Sequence, residues 1–202
     1  FVSLIFFLKM KLALPDYTEK FSFPSLSSTV EIQTDEYGVP HIIASNKDDL
    51  YFALGYAQAR ERLFQMQILK RVVAGRISEL VGEKGVQVDI LFRHIGFKRN
   101  SEKWISKNLE SSPPEAVKYL DRYIEGINSY ASTHSLSVEF LILGMNYEPI
   151  DKTDILAFVG FMAFGFGEGV HLDPLITDLE NEFGTEMMQE LTGESAGISQ
   201  NS

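Results

Sequence analysis

The side chains that could do chemistry in this sequence are few, because it holds no cysteine and four histidines. Those are His41, His94, His134 and His171. None stands in an H-E-x-x-H pattern or in any i, i+4 pair, which argues against a zinc site. No serine sits in a G-x-S-x-G elbow. The run Phe164-Gly165-Phe166-Gly167-Glu168-Gly169 has the composition of a phosphate loop. It lacks the preceding strand and the following Lys-Ser/Thr that such a loop needs. The chain therefore shows no convincing nucleophile. Without cysteine, disulfides, thiol nucleophiles and thiolate metal sites are excluded, and the redox compartment stays open. A net charge of −10 speaks against a nucleic-acid partner, which needs clustered Lys and Arg.

One stretch, Asp35 to Arg71, organises the rest. Asp35-Glu36-Tyr37-Gly38 has the makings of a tight turn, with Gly38 free to take positive φ. Val39-Pro40 favours extended backbone, and His41–Ala44 continues as a short strand. Thr29–Gln33 alternates apolar and polar residues as a half-buried strand does, so the two pair as a hairpin. A lone hairpin is marginal in water and is expected to join a larger sheet. His41 is expected to make a structural hydrogen bond near the turn. Ser45 or Asn46 can cap a helix whose first turn carries Asp48 and Asp49. That helix runs to about Arg71, roughly 25 residues and well above the usual length. On it Gln58, Arg60, Glu61, Arg62, Gln65, Gln67 and Arg71 are too many polar residues for one solvent face. A structural role, in ion pairs buried across a subunit interface, is the expected reading.

Further along, residues 74–82 are expected to be partly helical, and Asp89 to Arg99 reads as a short helix or turn. Ser112 is the expected N-cap of an amphipathic helix reaching about Ser132, carrying Val117, Leu120, Ile124, Ile127 and Ala131. Val138–Leu143 is strand or helix by pattern alone, and Asn146–Pro149 reads as a turn. Thr153 can cap an apolar helix over Asp154–Phe164. Asp173-Pro174 is expected to start another, and Gly184 to interrupt it. The whole is an α+β subunit in which helix dominates. Its expected divisions are 1–28 (an apolar segment and extended connector), 29–191 (the folded domain) and 192–202 (a flexible polar tail). The opening FVSLIFFLKMKLAL is too short an apolar run for the roughly 20 residues that span a bilayer. It reads either as a terminal strand packed on another surface or as the remnant of an export signal or membrane anchor.

Three blocks in order carry a family resemblance: DEYGVPHI with GYAQARERLFQMQ, then AGRISELVG (74–82), then YEPIDKTDILAFVGFMAFGF (147–166). Together they resemble the smaller (α) chain of the penicillin acylase family of N-terminal-nucleophile hydrolases, over about Val30 to Leu191. The resemblance implies that this chain completes an αββα core with a larger β chain from the same precursor, exported and cut autocatalytically. The nucleophile would then be the N-terminal Ser of that β chain, and no catalytic residue would lie here. Met162 and Phe166 fall where the family lines its acyl pocket, with Phe161 and Phe164 adding apolar surface. Gly165 falls where penicillin G acylases carry an arginine that contacts substrate, a departure that speaks against penicillin preference and opens the pocket mouth. Several members bind a structural Ca2+ through an acidic α-chain residue in the stretch that here holds Glu168 and Asp173, whose oxygens suit a hard cation. No organic cofactor is implied. The substrate would be a small N-acyl compound, since β-lactam side chains, acyl homoserine lactones and others are cleaved within the family. The location implied is extracytoplasmic.

Composition and periodicity alone also allow a helical, membrane-tethered binding or scaffold module without catalysis. Taken without the resemblance, Met162 and its neighbours are simply core on an apolar helix, and Glu168 or Asp173 a solvated carboxylate or helix cap.

Overall fold

The computed structural model describes residues 17, 20, 22–184 and 187, with the side chains of residues 168–173 outside that description. The described elements are strands β1 (Glu31–Thr34) and β2 (Pro40–Ile43), then helices α1 (Lys47–Val73) and α2 (Ser78–Val81). A 3-10 turn (Gly82–Gly85) leads into α3 (Val86–Ile95), α4 (Phe97–Asn108), α5 (Pro114–Thr133), α6 (Val138–Ile142) and α7 (Lys152–Phe183). This is the mainly helical α+β composition that the sequence leads one to expect. Two compact units divide the chain, Phe1–Val159 and Gly160–Ser202, and the division falls inside the stretch 29–191. The second unit holds the later turns of α7, which end at Gly184 with φ +80°.

The hairpin forms in the expected register, with Ile32 opposite Ile42 and Gln33 opposite His41. Asp35 organises its turn: one carboxylate oxygen accepts from the backbone N–H of Tyr37 and Val39, and the other meets His41 Nε2 at 3.0 Å. His41 thus has the structural role expected of it. Hydrogen bonding to His41 is the main cause that holds the Asp35 carboxyl below the usual range.

The first unit is built on the crossing of α1 and α5, where the two backbones nearly touch. A Cβ on Gly55 would lie 2.0 Å from the Tyr123 carbonyl oxygen, and one on Gly126 would lie 2.0 Å from that of Phe52. No side chain fits at either point. Ala53, Ala57 and Ala59, all buried, keep α1 thin beside the contact. The core grows from there: Ala59 and Leu63 of α1, Ile127 and Tyr130 of α5, then Phe140, Met145 and Ile150. α1 departs from helical geometry at one residue, Arg62, with φ −135° and ψ 16°.

Asp49 ties the connector to this crossing. Asn46 caps α1 by accepting from Asp49 N–H at 2.9 Å. The Asp49 carboxylate, 1% exposed, accepts from the backbone N–H and hydroxyl of both Ser27 and Ser28 and from the Asn46 amide. Arg122 of α5 approaches it at 3.7 Å and donates to the Ser25 carbonyl at 2.9 Å. Burial alone would push this carboxyl up, but the hydrogen bonds from Asn46, Ser27 and Ser28 outweigh it and hold it far below the usual range.

Several local expectations need correction. Of the two readings open for Val138–Leu143, helix is the one formed, over Val138–Ile142. Asp89–Arg99 is neither one short helix nor a turn: α3 and α4 are separate helices hinged at Gly96, which takes φ +76°. α5 is not capped by Ser112, whose hydroxyl donates to the Asn108 carbonyl at the end of α4. Pro113 stands at the cap position with extended backbone, because a residue before a proline avoids the helical region. Asp151, rather than Thr153, caps α7: its carboxylate accepts from Asp154 N–H at 2.9 Å while Asp154 returns the bond at 3.1 Å. Asp173-Pro174 starts no new helix, since α7 runs through Pro174. Gly165 and Gly167 take no positive φ, and one proline removes a single N–H donor from a long ladder. Residues 146–149 are irregular rather than a turn, the chain having already turned at Leu143–Gly144. Residues 1–14 and 192–202 lie outside the described residues.

Two predictions follow from this packing. Gly55→Ala should destabilise the native protein by about 3 kcal/mol or more, as overpacking against backbone does at its upper end. Gly165→Ala, whose Cβ would meet nothing within 4 Å, should be neutral or stabilising by up to about 1 kcal/mol. Urea midpoints measure both. For Asp49, the folded carboxyl is depressed, so as pH falls the unfolded chain takes up the proton first. Its contribution is full above about pH 4 and fades as pH drops further. Asp49→Asn should lower stability at pH 7 by about 1.5–3 kcal/mol and flatten the loss of stability below pH 4, read from denaturation at a series of pH values.

Candidate functional site

The residues expected to line an acyl pocket lie on α7, in the second unit. Met162 and Phe166 are one turn apart on a common face, with Gly165 beside them at i+3 from Met162. Met162 is 41% and Phe166 72% exposed, too open for the core residues that pattern alone would allow. Gly165 leaves clear space where a side chain would stand. Phe164 is exposed and Phe161 half-buried. The arrangement offers a flexible thioether and an aromatic ring on one apolar stripe, with a gap between them. It can hold an apolar group but supplies no acid, base or nucleophile.

The first turns of α7 are positioned by polar side chains of the first unit. The segment Tyr147–Ile150 is gripped from two helices. Gln67 of α1, fully buried, donates to the Glu148 carbonyl at 2.8 Å and accepts from Glu148 N–H at 3.0 Å. Asn128 of α5 does the same to Ile150, donating to its carbonyl and accepting from its N–H, both at 3.0 Å. Asn128 also accepts from the Tyr147 hydroxyl at 2.5 Å. Burial pushes that phenol up to about 12, so it stays a donor at neutral pH. Each amide thus gives the segment the paired bonds that a neighbouring strand would.

Charge secures the same place. Arg71, 4% exposed, donates to the Asn146 carbonyl at 3.2 Å and to Glu148 Oε1 at 2.9 Å. Arg76 reaches both Glu148 oxygens, at 2.9 and 3.0 Å, and its hydrogen bonds are the first reason that the Glu148 carboxyl lies below its ordinary range. Lys70 Nζ pairs with Asp154 at 2.8 Å and donates to the Pro149 carbonyl. The partners of Gln67 and Arg71 therefore lie within this chain, not across a subunit interface as expected. The sequence reading missed Asn128, Glu148 and the Lys70–Asp154 pair. Asn128, next to Ile127 and Ala131 on the apolar stripe of α5, was the available signal.

A cavity of about 410 Å³ opens between α1, α5 and the start of α7, walled by Met66, Leu69, Val73, Ile127, Ile155 and Phe158. Gln58, Arg62 and Gln65 line it too, and Lys70–Asp154 forms part of its wall.

Among the described residues no group of three or more His, Cys, Asp or Glu side chains could hold a metal ion. The side chains of Glu168 and Asp173 lie outside the description. No described helix is long and apolar enough to cross a membrane.

The comparisons agree with one another. The family model described as Penicillin amidase matches residues 29–199. The chain is 38% identical to Penicillin acylase 2 proenzyme of Pseudomonas sp. (strain SE83) over 141 residues, 69% of this chain and 18% of that protein. It is 31% identical to Penicillin G acylase of Escherichia coli over 182 residues, 81% of this chain and 20% of that protein. An acyl-homoserine lactone acylase, QuiP of Pseudomonas syringae pv. syringae (strain B728a), is 29% identical over 64% of this chain and 15% of its own length. The chain thus spans about a fifth or less of these curated relatives. Among solved structures, a chain of the thermostable penicillin G acylase from Alcaligenes faecalis is similar at TM-score 0.60 and 26% identity, over 86% of this chain and 94% of that one. On the span of the family match and the identity to these relatives, the chain belongs to the penicillin amidase family.

Proposed function

We propose that this chain is the smaller subunit of a heterodimeric amide hydrolase that removes the acyl group from a small N-acyl substrate. One observation carries the reading: the chain aligns with 94% of a solved penicillin G acylase chain, yet with about a fifth of the full-length relatives. The remaining length would be a larger chain released from the same precursor by autoproteolysis. Its N-terminal Ser would attack the amide carbonyl, with its own α-amino group (pKa about 7.7–8) taking the hydroxyl proton. The amine would leave, and water would then release the acid. The oxyanion donors would lie on the larger chain as well.

This chain's part is binding. Met162 and Phe166 would hold the acyl group through apolar contact, Phe161 would back them, and Gly165 would leave the entrance wide. The exposure of Met162 and Phe166 suits a face that another chain or a substrate completes. β1 and β2 would add to a sheet of the larger chain to build an αββα core. A structural calcium would take one carboxylate from this chain, Glu168 or Asp173, and its remaining ligands from elsewhere. The mature protein would act outside the cytoplasm, and residues 1–14 would serve its export or anchoring.

Denaturing intact-mass and N-terminal analysis of the native protein should find, beside the 22.8 kDa chain, a larger chain beginning with Ser. A lone, stable monomer would instead favour the scaffold reading. In the assembled enzyme, Met162→Ala and Phe166→Ala should each lower kcat/KM for an apolar acyl substrate by about tenfold, mostly through KM, as loss of pocket contact does. Steady-state kinetics unchanged by both would remove them from the pocket.

A further inference from the structure

We propose that the cavity between α1, α5 and the start of α7 is a socket for the larger chain, receiving apolar side chains that stand next to an acidic residue. The inference rests on the heterodimer reading above. Its volume, about 410 Å³, equals that of roughly fourteen waters at about 30 Å³ each. The cavity opens to solvent between Met66, Leu69, Ile155 and Phe158, with the buried Val73 and Ile127 at its floor, and an apolar cleft of this size is a surface that association covers. Phe158, 38% exposed, sits at its edge.

The polar groups around it divide into two kinds. Lys70 and Asp154 satisfy each other, and the Tyr123 hydroxyl donates to Gln58. Arg62 and Gln65 are exposed and, among the described residues, meet no hydrogen-bond or ion-pair partner. Arg62 is also the one residue of α1 outside helical geometry. In a chain with net charge −10, the cavity thus carries an unpaired cation. An incoming segment meets apolar walls and a free guanidinium, and a carboxylate matches that fork in geometry and charge. Most of the length of the relatives lies beyond this chain, so the larger chain is the source of such a segment.

The test uses the native complex with the photo-crosslinking residue p-benzoylphenylalanine in place of Gln65. Irradiation should join this chain to one peptide of the larger chain that holds apolar residues beside an Asp or Glu. Independently, Arg62→Glu should make the complex dissociate at a concentration at least tenfold higher than wild type, and Arg62→Lys, which keeps the charge without the fork, should weaken it less. Cross-links confined to this chain, to a second copy of it, or to a larger-chain peptide without an acid would overturn the proposal. So would native mass spectrometry that finds a small amphiphile held in the cavity and no protein cross-link. If a larger chain co-purifies but the cross-link falls elsewhere, the socket fails and the heterodimer stands. If none co-purifies, both fall.

Discussion

Everything in the first unit depends on how close α1 and α5 can come. Gly55 and Gly126 each face the other helix's backbone, leaving no room for a methyl group. Glycine inside a helix costs about 1 kcal/mol relative to alanine, so two at the contact are a local sacrifice offset by tertiary packing. Because the helices are this close, one segment can touch both. Gln67 reaches it from α1 and Asn128 from α5, and between them they satisfy the backbone of Glu148 and Ile150. The start of α7 follows directly, closed by the reciprocal Asp151–Asp154 bonds.

Four buried polar residues within this packing are answered several times over. Asp49, Gln67, Arg71 and Asp154 are buried, and each is met by several partners. Buried charge of this kind adds less to stability than its bond count suggests, because desolvation offsets much of the attraction. What it does is discriminate. A carboxylate that must meet two serines and an asparagine accepts one placement of the connector, and a glutamate that must meet two arginines accepts one path for residues 146–150.

Much of this was legible in the sequence, and the largest unread part lies in pairings between distant residues. The hairpin, the Asn46 cap, the long α1 and the amphipathic α5 follow from local periodicity, turn chemistry and capping, which neighbouring residues decide. The excess of polar residues on α1 was legible as well, though not their partners. Gln67 and Arg71 are satisfied by residues 146–148, more than 70 positions away, and no local pattern encodes such a pairing. The caps at Pro113 and Asp151 were misplaced although the deciding bonds are local: Ser112 donates back to Asn108, and Asp151 accepts from Asp154 N–H. The continuity of α7 through its glycines and Pro174 ran against propensity. The family resemblance named Met162, Gly165 and Phe166, and their spacing on that helix is what gives them a shared face.

The two amide clamps have a consequence for how this region can vary. Gln67 and Asn128 bind the main chain of residues 148 and 150, so the clamps are blind to most side-chain identities there. Pro149, which lacks an N–H, falls between them at the one position where neither asks for a donor. Substitutions there leave the clamps themselves intact, although Glu148, through Arg71 and Arg76, and Ile150, in the core, are held by their side chains as well. A single insertion or deletion is another matter, because it moves both residues out of step with both helices at once and shifts where α7 begins. The clamps read the spacing of the segment, and the side chains of Glu148 and Ile150 read the rest.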